Sequence, residues 1–340
     1  MFIEKRQHLI ITLILLSIIC LLLSIAMGAV PLSLADIIDS LAGTNAAQHN
    51  TEQIVLQLRL PRALLAAIVG ALLATSGAAM QGLFRNPLAD PSLIGVTAGA
   101  SAGASLVIVF GGTLLHSFWG LSFVSLGAFI GGVLTVYLVY RLATGISGTS
   151  VATMLLAGIA IAALAGSFSS LLEFYADNEM LRRISLWRMG GLDGANQIHV
   201  ITAAIIALIV LSLLPRDSVA LNIMLLGESE ARHLGVNVER VKTRLIILVA
   251  AGVGVSVALA GTIAFVGLVV PHIIRMLIGP DHRYLLPASM LAGALLLMIA
   301  DTLSRTLLAP TELPVGLVTA VIGAPFFISL LRRRHIYGMQ

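Results

Sequence analysis

The residues that could do chemistry are ionisable side chains set in apolar surroundings. Arg59 and Arg62 stand three apart, Arg305 follows Asp301 by four, and Arg182, Arg183 and Arg188 crowd around Trp187. Guanidinium groups grip carboxylates through paired hydrogen bonds. These six arginines are candidates for receiving an acidic partner surface or a carboxylate-bearing solute; lipid headgroups and local pairs such as Asp301–Arg305 are the plainer roles. Glu173 and Asp301 lie near the ends of apolar runs, where acids can mark a proton relay, so a proton-coupled carrier is a competing class. His116, His199, His233 and His272 show no pair at metal-ligand spacing, and no metal site is expected. His272, directly after Pro271, reads as a packing residue. A phosphate-binding loop needs a lysine after glycine, but the two lysines, Lys5 and Lys242, follow Glu4 and Val241. The chain is therefore expected to bind neither ATP nor another cofactor, and no nucleophile–base or paired-carboxylate arrangement argues for an enzyme.

The elements that must position these residues are membrane helices. Of 340 residues, 58% are hydrophobic and 11% charged, with a mean hydropathy of +1.02. A soluble domain carries roughly 25% charged residues, so this chain has too few to cover a soluble surface. The net charge of +4 is scattered between apolar runs, which disfavours nucleic acid. Cys20 is the lone cysteine, which excludes a disulfide framework. The apolar run Leu9–Val30 exceeds the roughly 7–15 residues of a signal core, so it reads as a retained first span.

A crossing helix needs about 20 mostly apolar residues. Runs of that kind predict ten spans, at 9–29, 61–82, 92–111, 118–140, 150–174, 197–214, 243–262, 263–278, 285–306 and 314–331. The seventh and eighth form one stretch broken by Gly261, Gly267 and Pro271. Of the 20 lysines and arginines, only Arg59, Arg62, Arg182, Arg183, Arg188 and Arg305 fall on the side opposite the N-terminus, which puts both termini in the cytoplasm. Small residues recur four apart at Gly70–Ala74–Ala78–Gly82, Gly95–Gly99–Gly103 and Gly158–Ala162–Gly166–Ser170. Such stripes allow close helix packing, and some could line a path instead.

Two connections stand out. The loop 221–240 predicts two short helices hinged at Gly227, with Glu228 and Arg232 four apart and Gly235 at a helix end. Connections of that length are uncommon unless functional, although a solvated connector has the same signature. The loop 81–92, with Pro87 and Pro91, resists helix formation, and irregular backbone at membrane depth survives only where protein or a watery cavity surrounds it.

These words together carry a resemblance. Arg59-Leu-Pro-Arg62, Ser76-Gly-Ala-Ala-Met-Gln-Gly82, Asn86-Pro-Leu-Ala-Asp90, Gly227-Glu228, Leu234-Gly-Val236, Gly267-Leu-Val-Val-Pro-His272, Glu312-Leu-Pro-Val-Gly316 and Gly323-Ala-Pro325 resemble the iron–siderophore, haem and vitamin B12 permeases of type II ABC importers, from about residue 55 to 333. Phe84-Arg-Asn-Pro-Leu-Ala-Asp-Pro91 and Trp187-Arg-Met-Gly-Gly191 look most similar to haem permeases. The resemblance implies an all-α fold with one transmembrane permease domain over residues 1–340. It further implies a homodimer of ten-helix subunits in a bacterial inner membrane, two cytoplasmic ATPase subunits that use the ATP, and a periplasmic binding protein. It assigns Arg59, Arg62 and Arg305 to binding-protein docking. It assigns Leu221, Leu226, Gly227, Glu228, Ala231, Arg232, Leu234 and Gly235, within coupling helices at about 218–236, to the ATPase. Asn86, Leu88, Thr149 and Ser150 become the cytoplasmic gate. With haem as cargo, Arg182, Arg183 or Arg188 could receive a propionate, or form a second docking patch or local pairs. Ferric siderophores and corrinoids remain alternative cargoes. The chain departs from some relatives in a longer outer loop, 45–51.

Overall fold

The computed structural model describes residues 2–28, 49–112, 120–146 and 148–336, with scattered positions between 30 and 40. His116 and positions 45–48 of the long loop lie outside the described residues, as do the side chains of Arg332, Arg333 and Arg334. The chain is helical almost throughout: α1 (Phe2–Ala26), α2 (His49–Gln53), α3 (Leu60–Leu83), α4 (Val96–Phe110), α5 (Gly120–Ala143), α6 (Val151–Tyr175), α7 (Asn178–Met189), α8 (Gln197–Leu213), α9 (Ser218–Met224), α10 (Glu228–His233), α11 (Val238–Ala260), α12 (Val266–Ile278), α13 (His282–Thr306) and α14 (Val315–Ile336). A two-residue hairpin, β1 (Thr144–Gly145) with β2 (Gly148–Thr149), joins α5 to α6.

Seven helical stretches among the described residues are long and apolar enough to cross a membrane. Three shorter apolar helices, Val96–Phe110, Val266–Ile278 and the start of α14, stand where the third, eighth and tenth spans are expected. The boundaries move for local reasons. The third span begins late because Pro91–Ile94 makes a 3-10 turn that ends on Gly95, at φ 80°. The second span starts early, running through a π-helical turn at Ile54–Arg59 into α3. Residues 178–189, expected as loop, form α7: Asp177 caps it by accepting from Met180 N at 2.8 Å, Glu179 pairs with Arg183, and Gly190 at φ 72° stops it. α12 is short because Gly261–Phe265 runs without helix, its strain concentrated at Phe265, φ 69°.

α3 is the central post. It packs on α13, α12, α11 and α8, and 83% of its most apolar window is buried. The small residues make this possible. A Cβ on Gly70 would come 2.2 Å from Gly293 O, and one on Gly77 would come 1.9 Å from Gly267 O, so two neighbouring backbones touch α3 directly. Gly99 and Gly103 meet Gly131 and Gly127 of α5 in the same way. α6 differs. Only 11% of its window is buried, and Gly166 has nothing within 4 Å. Leu156, Ile159, Leu164 and Leu171 present a large apolar face.

Candidate functional site

At the end of the bundle that carries the N-terminus, the segment 218–235 turns back on itself. Gly227, at φ 125°, hinges α9 to α10, a conformation that glycine adopts without a Cβ penalty. Gly235 at φ 83° closes α10, with Val236 N donating to Ala231 O at 2.9 Å and Gly235 N to Arg232 O at 3.0 Å. Leu221 and Ala231 are buried and anchor the two helices, while Leu226 and Leu234 are exposed, 68% and 60%. An apolar pair left in the open at the tip of a well-anchored elbow suits a protein partner.

The elbow touches both loops expected to form a gate. On one side, Leu221 and His282 press on Gly82, and Arg85 reaches the Gly227 turn. Asn222 ties α9 to α13: its Nδ2 donates to Asp281 Oδ1 at 2.7 Å, and its Oδ1 accepts from His282 N at 2.9 Å. Burial raises the Asp281 pKa, but bonds from Asn222 and the Arg283 amide and the charges of Arg283 and Arg6 outweigh it, leaving the carboxyl below its ordinary value. Asn86 begins the neighbouring loop with an Asx turn, accepting from Leu88 N at 2.9 Å. On the other side, Glu228 at the start of α10 accepts from Lys242 Nζ at 2.7 Å, and Lys242 also donates to Thr149 O at 2.6 Å. Ser150, the next residue, caps α6 by accepting from Thr153 N at 3.2 Å. The Glu228–Arg232 pair expected from spacing is present but long, 3.8 Å. Lys242, which sequence reasoning counted only as a basic residue, is the stronger partner. Its signal was a lysine three residues after Glu239 at the threshold of an apolar helix.

The arginines lie at the opposite end. Arg59 is buried, and its guanidinium donates to the last carbonyls of α1, to Ile25 O at 2.9 Å and Ala26 O at 2.8 Å, and also to Val30 O. Arg305, also buried, donates to Ser24 O at 3.0 Å and Met27 O at 3.3 Å and lies 3.1 Å from Asp301. Arg62 bonds Asp301 at 2.8 Å and Glu312 at 2.7 Å. These three first hold α1, α3 and α13 together, and the local Asp301–Arg305 pair is present. Asp301 and Glu173 are both ion-paired, the latter to Arg188 at 2.7 Å, an arrangement unlike a free proton relay.

Arg183 is held by Glu179 at 2.6 Å, whereas Arg182 is exposed and makes no hydrogen bond or ion pair among the described residues. Arg183, Trp187, Arg62, Asp193, His199 and Glu312 line a cavity of about 540 Å3 at this end. The Trp187–Gly191 segment has a packing explanation: a Cβ on Gly190 would stand 2.5 Å from Thr262 O, and Gly191 N donates to Ala260 O at 2.9 Å.

A family model described as the FecCD transport family matches residues 15–333. The hemin transport system permease protein HmuU of Yersinia pestis is 45% identical over 325 residues, 95% of each chain. The cobalamin import system permease protein BtuC of Halobacterium salinarum is 42% identical over 291 residues, 86% of this chain and 76% of that one. A solved metal-chelate type ABC transporter in an inward-facing conformation superposes with a TM-score of 0.84 at 34% identity, covering 96% of this chain and 99% of that one. PsaBC from Streptococcus pneumoniae, at 18% identity and a TM-score of 0.58, shares the fold.

Proposed function

Because the chain belongs to the FecCD transport family and is thus an ABC importer permease rather than an enzyme, we propose that it carries haem from periplasm to cytoplasm. In this reading ten helices span the inner membrane with both termini inside, as one transmembrane permease domain, and two copies pair through α6. Two partner ATPases seat on the elbow 218–236, and a loaded binding protein seats on the arginine-bearing end. The observation that carries the reading is the elbow itself: exposed at Leu226 and Leu234, hinged at Gly227, and bonded through Glu228 to the hairpin before α6. The elbow bears on Gly82 and Arg85, just before the proposed gate residues Asn86 and Leu88, and through Lys242 on Thr149, next to Ser150.

The large exposed apolar face of α6 supports the pairing: Gly158 is taken up by Leu93 O within the subunit, but Gly166 has nothing against it and leaves room for a close helix contact. The bonds made by Arg59 and Arg305 change the docking proposal. Exposed Arg182, with the Arg62–Glu312 rim, is the better-placed contact for an acidic lobe or a propionate. Haem is favoured by the similarity to the hemin permease over nearly the full length of both chains. Cobalamin is the second reading, favoured by relatives at 42% and 39% identity.

The test is reconstitution in proteoliposomes with the cognate ATPase and binding protein. ATP-dependent uptake of haem, undiminished by excess cobalamin, is the expected result. Uptake of cobalamin alone would replace the cargo, and uptake driven by a proton gradient without ATP would overturn the reading.

A further inference from the structure

Lys242 is 1% exposed, the largest side chain among the fully buried ones. A buried ammonium is costly unless its charge and all three donors are satisfied. Here they are. Nζ donates to Glu228 Oε2 at 2.7 Å and to Thr149 O at 2.6 Å, and Glu239 Oε1 lies at 3.5 Å. The three partners belong to three different elements: Glu228 is the first residue of α10, Glu239 lies in the first turn of α11, and Thr149 ends the β1–β2 hairpin.

A second bond stiffens the junction. Glu239 Oε2 accepts from Thr149 N at 2.8 Å, so both backbone groups of Thr149 are held by the α11 pair Glu239–Lys242. The hairpin fits this grip closely. A Cβ on Gly148 would lie 2.6 Å from Glu239 Oε1, and Gly148 also has φ 102°. Tyr140 Oη and Thr243 Oγ1, 3.0 Å apart, fasten the end of α5 to the same stretch of α11. Ser150, directly after Thr149, is the N-cap of α6. Short charged bonds therefore run from the elbow, through one buried ammonium, to Thr149, two residues before α6 begins with its large exposed apolar face.

We propose that Lys242 is a positioning residue that makes α10, the base of α11 and the 144–149 hairpin one rigid lever, so that displacement of the elbow is delivered to the start of α6. This rests on the reading of the elbow as the ATPase seat. The geometry separates two duties on that seat. Leu226 and Leu234 face outward, where a partner can grip. Lys242 is buried within the subunit, out of a partner's reach, so its loss should spare hydrolysis while wasting it.

The experiment uses the reconstituted permease–ATPase–binding-protein complex with Lys242→Met, which keeps the apolar stem, and Lys242→Arg, which keeps the charge. For Lys242→Met, co-purification with the ATPase and the hydrolysis rate should stay within about twofold of wild type, while cargo moved per ATP falls about tenfold; Lys242→Arg should recover most of that ratio. Glu228→Gln, an isosteric change at the other end of the bond, should also lower cargo per ATP. A second readout does not depend on uptake. In a Cys20→Ala background, spin labels at Ser229→Cys on α10 and Ile146→Cys on the hairpin should give one narrow distance, the same with and without nucleotide. Lys242→Met should broaden it and make it respond to nucleotide. An unchanged ratio together with an unchanged distance distribution would overturn the proposal, and so would equal losses in hydrolysis and uptake with the distance kept narrow. If the unmutated complex shows no ATP-dependent uptake, it is the ATPase reading of the elbow that has failed, and the label distances still report on the lever.

Discussion

Asp301 sits fully buried between two guanidinium groups, 2.8 Å from Arg62 and 3.1 Å from Arg305. Removing the carboxylate leaves the buried Arg305 without its counter-charge and Arg62 with Glu312 alone, and leaving a buried charge unpaired in this way costs about 3–5 kcal/mol. Asp301→Ala should therefore lower the detergent-solubilised melting temperature by many degrees, whereas Glu179→Ala, which breaks the exposed pair with Arg183, should move it by a degree or two. Equal shifts would show that the outer arginines do not hold the bundle. The residue scale is also where the sequence was hardest to read. Arg59-Leu-Pro-Arg62 announces its importance, yet spacing alone cannot say that Arg59 turns inward to the carbonyls ending α1. Those carbonyls lie more than 25 residues away in the chain, and nothing local marks them as acceptors.

Elements were far more legible, because the signal of a crossing helix is simply a run of apolar residues, and lipid enforces it. The glycine hinge at 227 and the helix stop at 235 were readable for a similar reason: each needs a backbone conformation that few residues tolerate. What failed was fine structure at span ends. The segment around Trp187 was read as loop because its arginines masked a capped, amphipathic helix. The short start of α12 depends on Gly267 meeting Gly77 across the bundle, a contact no window of sequence contains. The stripes make a sharp prediction at this scale. Helix propensity alone favours Ala over Gly by about 1 kcal/mol, but a Cβ on Gly99 would meet Thr135 Oγ1 at 2.0 Å and Gly131 O at 2.4 Å. Overpacking of that kind costs about 1–3 kcal/mol. Gly99→Ala should destabilise the protein in thermal unfolding, while Gly145→Ala, with nothing within 4 Å, should not.

At the scale of the whole molecule, the subunit is asymmetric in what it buries. α3 is walled in, α1 shows lipid its Ile11, Leu15 and Leu22, and α6 shows an apolar face interrupted by small residues. The pairing proposed through α6 can be tested against α1. In a Cys20→Ala background, Leu164→Cys on α6 should form a disulfide-linked dimer on mild oxidation in membranes, and Leu15→Cys on α1 should not. Dimers from both positions alike would mean random collision and would remove the support for pairing through α6.

The attachment of α1 has a consequence for what evolution is free to change. Arg6 fastens the foot of that helix to Ile278 O and Asp281, and Arg59 and Arg305 fasten its head. Between these rivets its outer flank, at Ile11, Leu15 and Leu22, is exposed. Its middle can drift through any greasy spelling of the same length, while Arg59 and Arg305, on distant parts of the chain, must stay put to keep a helix they do not belong to.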